Sequence, residues 1–145
     1  MKRKSIVCVL LAIISGLALA FLLAGYPLNA AECRLVRVYG DQGQGEPHVR
    51  IDPQNIAVDK GSCVIWVNWG KVNMKVNFRQ GEQCMKVTES AAGFKLENGC
   101  YATGWLQRGT TVSLVFTEPG TYEYQVEWES GKVTETGRIV VMSEG

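Results

Sequence analysis

Beyond residue 31 the apolar residues recur in short runs with a period of two, and no window of useful length shows the wider spacing of an amphipathic helix. Leu35–Tyr39, Val49–Ile51, Ile56–Val58, Cys63–Asn68, Lys75–Phe78, Thr110–Phe116, Thr121–Trp128 and Arg138–Met142 read as strands. Turn signals separate them: a Gly/Gln-rich stretch at 40–45, Pro53, and Glu118-Pro119-Gly120. Cys63–Asn68 is almost continuously apolar, as a strand covered on both sides would be, while Val112, Leu114 and Phe116 alternate with Thr111, Ser113 and Val115. Seven or eight such strands in a chain of 145 residues predict one all-β sandwich or barrel of ordinary size. The stretch 79–104 is the least regular. Glu89–Phe94 has the composition of a helical turn, but Gly81, Gly93, Gly99 and Gly104 punctuate the whole stretch. His48, beside Pro47 and a turn, reads as a solvated loop residue.

The first thirty residues are of another kind. Lys2-Arg3-Lys4 precede an apolar stretch from Ser5 to Tyr26, and small residues follow at Ala30 and Ala31. This is the grammar of a secretory signal, with cleavage after Ala30 or Ala31. The run is also long enough for a retained helix, with its basic flank on the cytoplasmic side. Residues 1–30 are therefore expected to be an apolar helix serving as signal peptide or membrane anchor, and 31–145 the exported domain, periplasmic or otherwise extracytoplasmic. Retention of the leader would anchor the domain to the inner membrane through residues 5–26. Leu22-Leu23-Ala24-Gly25 resembles the approach to a lipidated cysteine, but Tyr26 stands where that cysteine would be.

Export sets the reading of the cysteines. Cys8 falls in the leader, leaving Cys33, Cys63, Cys84 and Cys100, an even number suited to an oxidising compartment. Three pairings are open on sequence alone. The favoured one closes Cys84 with Cys100, sixteen positions apart, and leaves Cys33 with Cys63. A thiolate metal site finds no Cys-x-x-Cys spacing and no neighbouring imidazole.

Charge and composition exclude several functions. The chain has 15 Lys+Arg against 14 Asp+Glu, and without Lys2, Arg3 and Lys4 it carries two more acidic than basic residues, so nothing suggests nucleic-acid binding. One histidine, His48, leaves no His-rich metal site and no Ser/His/Asp set. Gly40, Gly43 and Gly45 neither follow a Rossmann-type strand nor open a helix. No enzyme activity is indicated.

Four segments carry a family resemblance: Trp66-Val67-Asn68, Val76-Asn77-Phe78, the run Leu114 to Tyr124 containing Phe-Thr-Glu-Pro-Gly-Thr-Tyr-Glu-Tyr, and Gly137 to Val141. Together they resemble the cupredoxins, nearest the plastocyanin and amicyanin type, over about residues 49–78 and 106–142. The resemblance implies a cupredoxin-like Greek-key β-sandwich, and it implies where a type 1 copper site would lie. Such a site needs a thiolate, two imidazoles and a weak axial ligand. The positions matching those ligands hold Met74, after the Trp-x-Asn motif, and Val126, Glu129 and Glu135; the loop from Val126 to Gly137 is longer than that of amicyanin. All four are substituted, and valine offers no donor atom.

The reading that follows is an exported domain that has lost its blue-copper site and acts as a non-catalytic binding or accessory module for an extracytoplasmic protein partner, with no cofactor. The alternative is a copper-binding or electron-transfer protein, or a subunit of a membrane redox complex, using an atypical site. The exported thioethers are Met74, Met85 and Met142 and the sole imidazole is His48; Met74 with a reduced cysteine would make a soft Cu(I) site. Met74 is read foremost as a filler of the space an imidazole would leave. Glu118, Glu123, Glu127, Glu129 and Glu135 read as a solvated face, or more sharply as a docking patch for a basic partner. Trp66 is assigned to packing; Trp69 and Trp128 are expected near the former site, as a cover or as an exposed contact.

Overall fold

A computed structural model of the chain describes residues 32–41, 48–78, 92–97, 99–129 and 134–143. The leader expected at 1–30, and with it the apolar helix and the 30/31 boundary, lies outside the described residues, as do Cys84 and Met85.

Ten strands form: β1 (Cys33–Asp41), β2 (His48–Asp52), β3 (Asn55–Asp59), β4 (Cys63–Asn68), β5 (Met74–Phe78), β6 (Phe94–Glu97), β7 (Cys100–Thr103), β8 (Thr111–Val115), β9 (Gly120–Trp128) and β10 (Thr134–Met142). They build two sheets, in the orders β2-β1-β4-β8 and β3-β10-β9-β5-β7-β6. Pro53 lies between β2 and β3, which belong to different sheets; the Asp52–Pro53 bond is cis. No helix occurs among the described residues. The architecture is the all-β sandwich that the alternation predicts.

Three details differ from the sequence reading. The 79–104 stretch contains β6 and β7, a hairpin whose two intervening residues read Asn98-Gly99, with Gly99 at a φ of 80°. Asn-Gly suits the tight turns whose twist matches paired strands. Phe94, at the end of the stretch with helical-turn composition, opens β6. His48 is exposed as expected but begins β2, opposite Asp41, rather than sitting in a loop. Finally, β10 begins at Thr134, so Glu135 and Gly137 belong to a strand and the connection after β9 spans only 129–133.

The period-two pattern becomes burial. Along β9, Tyr122, Tyr124, Val126 and Trp128 point inward; along β5, Met74, Val76 and Phe78 do so. Register pairs Met74 with Trp128, Val76 with Val126 and Phe78 with Tyr124, so these side chains form one apolar face. Val36, Val38, Val64 and Trp66 from the other sheet close over it. Trp66 is fully buried, edge-on to Phe78, Phe94 and Tyr124 at centroid separations of 5.8, 5.4 and 5.4 Å. Opposite Tyr124 stands Gly137, where any Cβ would overlap the phenol ring. A glycine under a cross-strand aromatic leaves that ring room to lie flat on the sheet.

This packing has a consequence at alkaline pH. Burial pushes the Tyr124 phenol up to about 12, against a smaller opposing pull from the Trp66 indole N–H beside it. Burial, and secondarily the Glu118 carboxylate, also raises Tyr122. A phenol in the unfolded chain ionises near pH 10, so above that the unfolded state sheds protons that the folded state keeps. Stability contributed by the neutral Tyr124 is therefore complete below about pH 10 and declines toward pH 12, by roughly 2–3 kcal/mol. Urea unfolding at pH 9 and pH 11 should show the decline, and Tyr124→Phe should flatten it; an unchanged slope in that variant would contradict this assignment.

Candidate functional site

The end of the sandwich where β4 stops is organised by Asn68. Its backbone N–H donates to Thr110 O at 3.1 Å, and its carbonyl accepts from Gly109 N at 2.7 Å. The side-chain oxygen accepts from Gly70 N at 2.8 Å, a turn in which an Asn side chain stands in for backbone. The side-chain amide donates to Val72 O and Leu106 O, each at 2.8 Å. One buried residue thus ties the 69–73 turn to the 104–110 connection. Met74 lies beneath them, exchanging backbone hydrogen bonds with Leu106 at 3.2 and 2.7 Å.

The four positions matching copper ligands divide here. Met74 and Val126 are buried on adjacent strands, and Glu135 on β10 stands opposite Val126. Glu129 lies just beyond β9, exposed; its N–H donates to Asn73 O at 3.1 Å and its carboxylate accepts from Asn73 Nδ2 at 2.8 Å. The Glu135 carboxylate accepts from Gln54 Nε2 at 2.6 Å. Register therefore gathers Met74, Val126 and Glu135 on neighbouring strands and leaves Glu129 at the turn.

That donor set does not fit a blue-copper centre. At the thiolate position Val126 is sealed, 0% exposed, against Val76. Met74, 1% exposed, pairs across the strands with Trp128 and packs toward Gly40, whose absent Cβ would sit 3.7 Å from the methionine methyl. A thioether and two carboxylates already engaged with amides supply neither the thiolate nor the imidazoles. Among the described residues, no three His, Cys, Asp or Glu side chains come together as a metal site.

The other candidates separate too. Trp128 is buried opposite Met74, whereas Trp69 is 56% exposed. Trp105, beside Leu106, is also exposed. The acidic residues are spread along strand faces and turns: Glu123 pairs with Arg138 at 3.0 Å, Glu127 stands opposite Lys75, and Glu129 and Glu135 hold amides. Cys33 and Cys63 form a disulfide across β1 and β4, with Cα atoms 4.4 Å apart. Cys100 is disulfide-bonded as well, while Cys84, the partner expected for it, falls outside the described residues.

Sequence reasoning quoted Asn68 only as part of a motif and missed its role as a hub. The signal available was an amide-bearing residue ending the most apolar strand, immediately before Trp-Gly.

No family model matches the chain, and no curated protein does. Solved structures do. The chain is similar to a purple cupredoxin from Nitrosopumilus maritimus, at 17% identity over 75% of this chain and 99% of that one, with a TM-score of 0.48. It is also similar to a reduced amicyanin variant, at 20% identity over 76% of this chain and 82% of that one, TM-score 0.47. An oxidised amicyanin variant matches at 23% identity over 61% and 70%, TM-score 0.41.

Proposed function

We propose that this chain is an exported, non-catalytic binding or accessory module whose sandwich has lost a type 1 copper site, serving a protein partner in the periplasm or at the membrane surface. The observation that carries this reading is the packing at Val126. At the thiolate position of the resemblance stands a side chain without a donor atom, closed over by Val76 and flanked by Met74 and Trp128. Methionine suits that place as an adaptable filler. A domain stapled by Cys33–Cys63 is suited to an oxidising compartment.

Copper decides between this reading and a redox one. After incubation with Cu(I) and Cu(II) and removal of loosely held metal, the natural chain is expected to be colourless and empty. One tightly held copper per chain would overturn the proposal. The variant carrying Met74→His, Val126→Cys and Glu129→His should gain an intense copper–thiolate absorption, because positions 74 and 126 lie diagonally across adjacent strands, within reach of a shared ion. A folded triple variant that stays colourless would show that these are not the ligand positions.

A further inference from the structure

The outer face of β1, β2 and the turn after β4 holds a set of side chains that the reading above does not use. In the β1–β2 register Tyr39 stands opposite Arg50, and Asp41 opposite His48. The parallel β1–β4 register runs to Val38 and Asn68, and two further hydrogen bonds carry it beyond β4: Trp69 N to Val38 O at 2.8 Å and Lys71 N to Gly40 O at 3.0 Å. Trp69 therefore comes beside Tyr39, and Lys71 beside Asp41, its ammonium 3.6 Å from the carboxylate. Alternation turns all of these outward, while Gly40 and Gly70 between them are buried.

Two rows result: Arg50, Tyr39 and Trp69, then His48, Asp41 and Lys71. The strands can approach so closely only because position 70 is glycine, since a Cβ there would overlap the Gly40 nitrogen and lie 2.8 Å from its carbonyl oxygen. These residues line a pocket of about 280 Å³. That is just below the range of drug-sized sites and suits a molecule of one ring.

We propose that this pocket binds a single-ring organic carboxylate, with the ring on the Trp69 indole and the carboxylate at the edge of the Arg50 guanidinium. Arg50 lies over the Tyr39 ring, 4.6 Å from its centroid, which fixes the guanidinium plane and leaves its edge donors for a carboxylate fork. Trp69, 56% exposed, provides the flat apolar face. Lys71 and Asp41 form a long, exposed pair of the kind that contributes little, so Lys71 can turn to a ligand anion at small cost. A cation would meet Arg50 and Lys71; a ringless anion would leave the indole unused. The inference goes beyond the accessory-module reading and holds independently of it.

The test is titration of the purified full-length chain with benzoate and, separately, with glucuronate, followed by backbone amide shifts at matched ionic strength, with acetate as the ringless control. Saturable shifts centred on Tyr39, Arg50, Trp69 and Lys71 are expected, with at least one ring acid binding tenfold or more tighter than acetate. Benzoate alone would mark the ligand as an aromatic acid, glucuronate alone as a sugar acid. Arg50→Gln should weaken binding at least tenfold, Arg50→Lys less, and Trp69→Ala should erase the preference over acetate. Each altered side chain is exposed, so an unchanged melting temperature verifies the fold. The proposal fails if neither ring acid saturates, if acetate binds as tightly, or if binding ignores Arg50→Gln or keeps its preference in Trp69→Ala.

Discussion

Replacing Asn68 by alanine is expected to destabilise the domain by about 4–5 kcal/mol. The side chain is 1% exposed and makes three hydrogen bonds, to Gly70 N, Val72 O and Leu106 O. Each bond contributes about 1 kcal/mol net, but a buried partner left without a mate costs about 1–3 kcal/mol in desolvation. Two of the three partnerships are buried and one is part-buried, so the penalty comes mostly from what the alanine abandons. Asn68→Asp should be as damaging, because the carboxylate keeps the Gly70 contact and turns its other oxygen on two carbonyls. Asn68→Ser should not rescue, since one hydroxyl cannot reach three groups on separate turns. Guanidinium unfolding would measure the loss, and amide exchange would localise it to residues 69–74 and 104–110. A loss under 1 kcal/mol for the alanine variant would mean that water replaces the amide and that this end of the sandwich is wet.

The position of Asn68 also shows what the sequence could reveal and what it could not. Strand identity was legible wherever alternation ran for five residues or more, as along Tyr122, Tyr124, Val126 and Trp128, because a sheet with one buried face imposes that period. Trp66 was assignable to the core from its place in a continuous apolar run. The β6–β7 hairpin escaped because its strands have four residues each and three of the β6 side chains are exposed, leaving no alternation to detect. Asn98-Gly99 was the only cue. Register is the deeper gap. Nothing local states that Glu135 faces Val126, or that Arg50 lies over Tyr39, since each pairing depends on where a connecting segment lets the partner strand begin. The candidate site was therefore readable as a set of substitutions and unreadable as a place. The same blindness hid the pocket beside Trp69, whose residues come from three strands or their extensions.

Removing the Cys33–Cys63 bridge by the double substitution Cys33→Ser, Cys63→Ser is expected to cost about 3–4 kcal/mol, from closing a loop of 30 residues in the unfolded chain. The location adds to the case for a real constraint. Cys33, Arg34 and Leu35 are exposed at the start of β1, so little apolar burial holds that end of the strand to β4. The bridge fixes the register at its first pair, Cys33 with Cys63, and the burial at Val36 and Val38 follows from it. In the double variant, amide exchange at residues 34–36 should rise well before that of β9. Reductant applied to the natural chain should cost more than the double variant does, because it also opens the bond at Cys100. The excess measures the second bridge. A thiol count on the denatured double variant assigns it: if Cys84 is the partner, neither Cys84 nor Cys100 reacts until reductant is added, and a reactive thiol at position 84 would place the partner of Cys100 elsewhere. Equal losses in the two experiments would leave the second bond without a stabilising role. The loss of the first bridge alone is a large share of the roughly 5–15 kcal/mol that holds a domain folded. The chain would then depend on an oxidising compartment for its stability, which ties the export expected from its first thirty residues to the chemistry of its core.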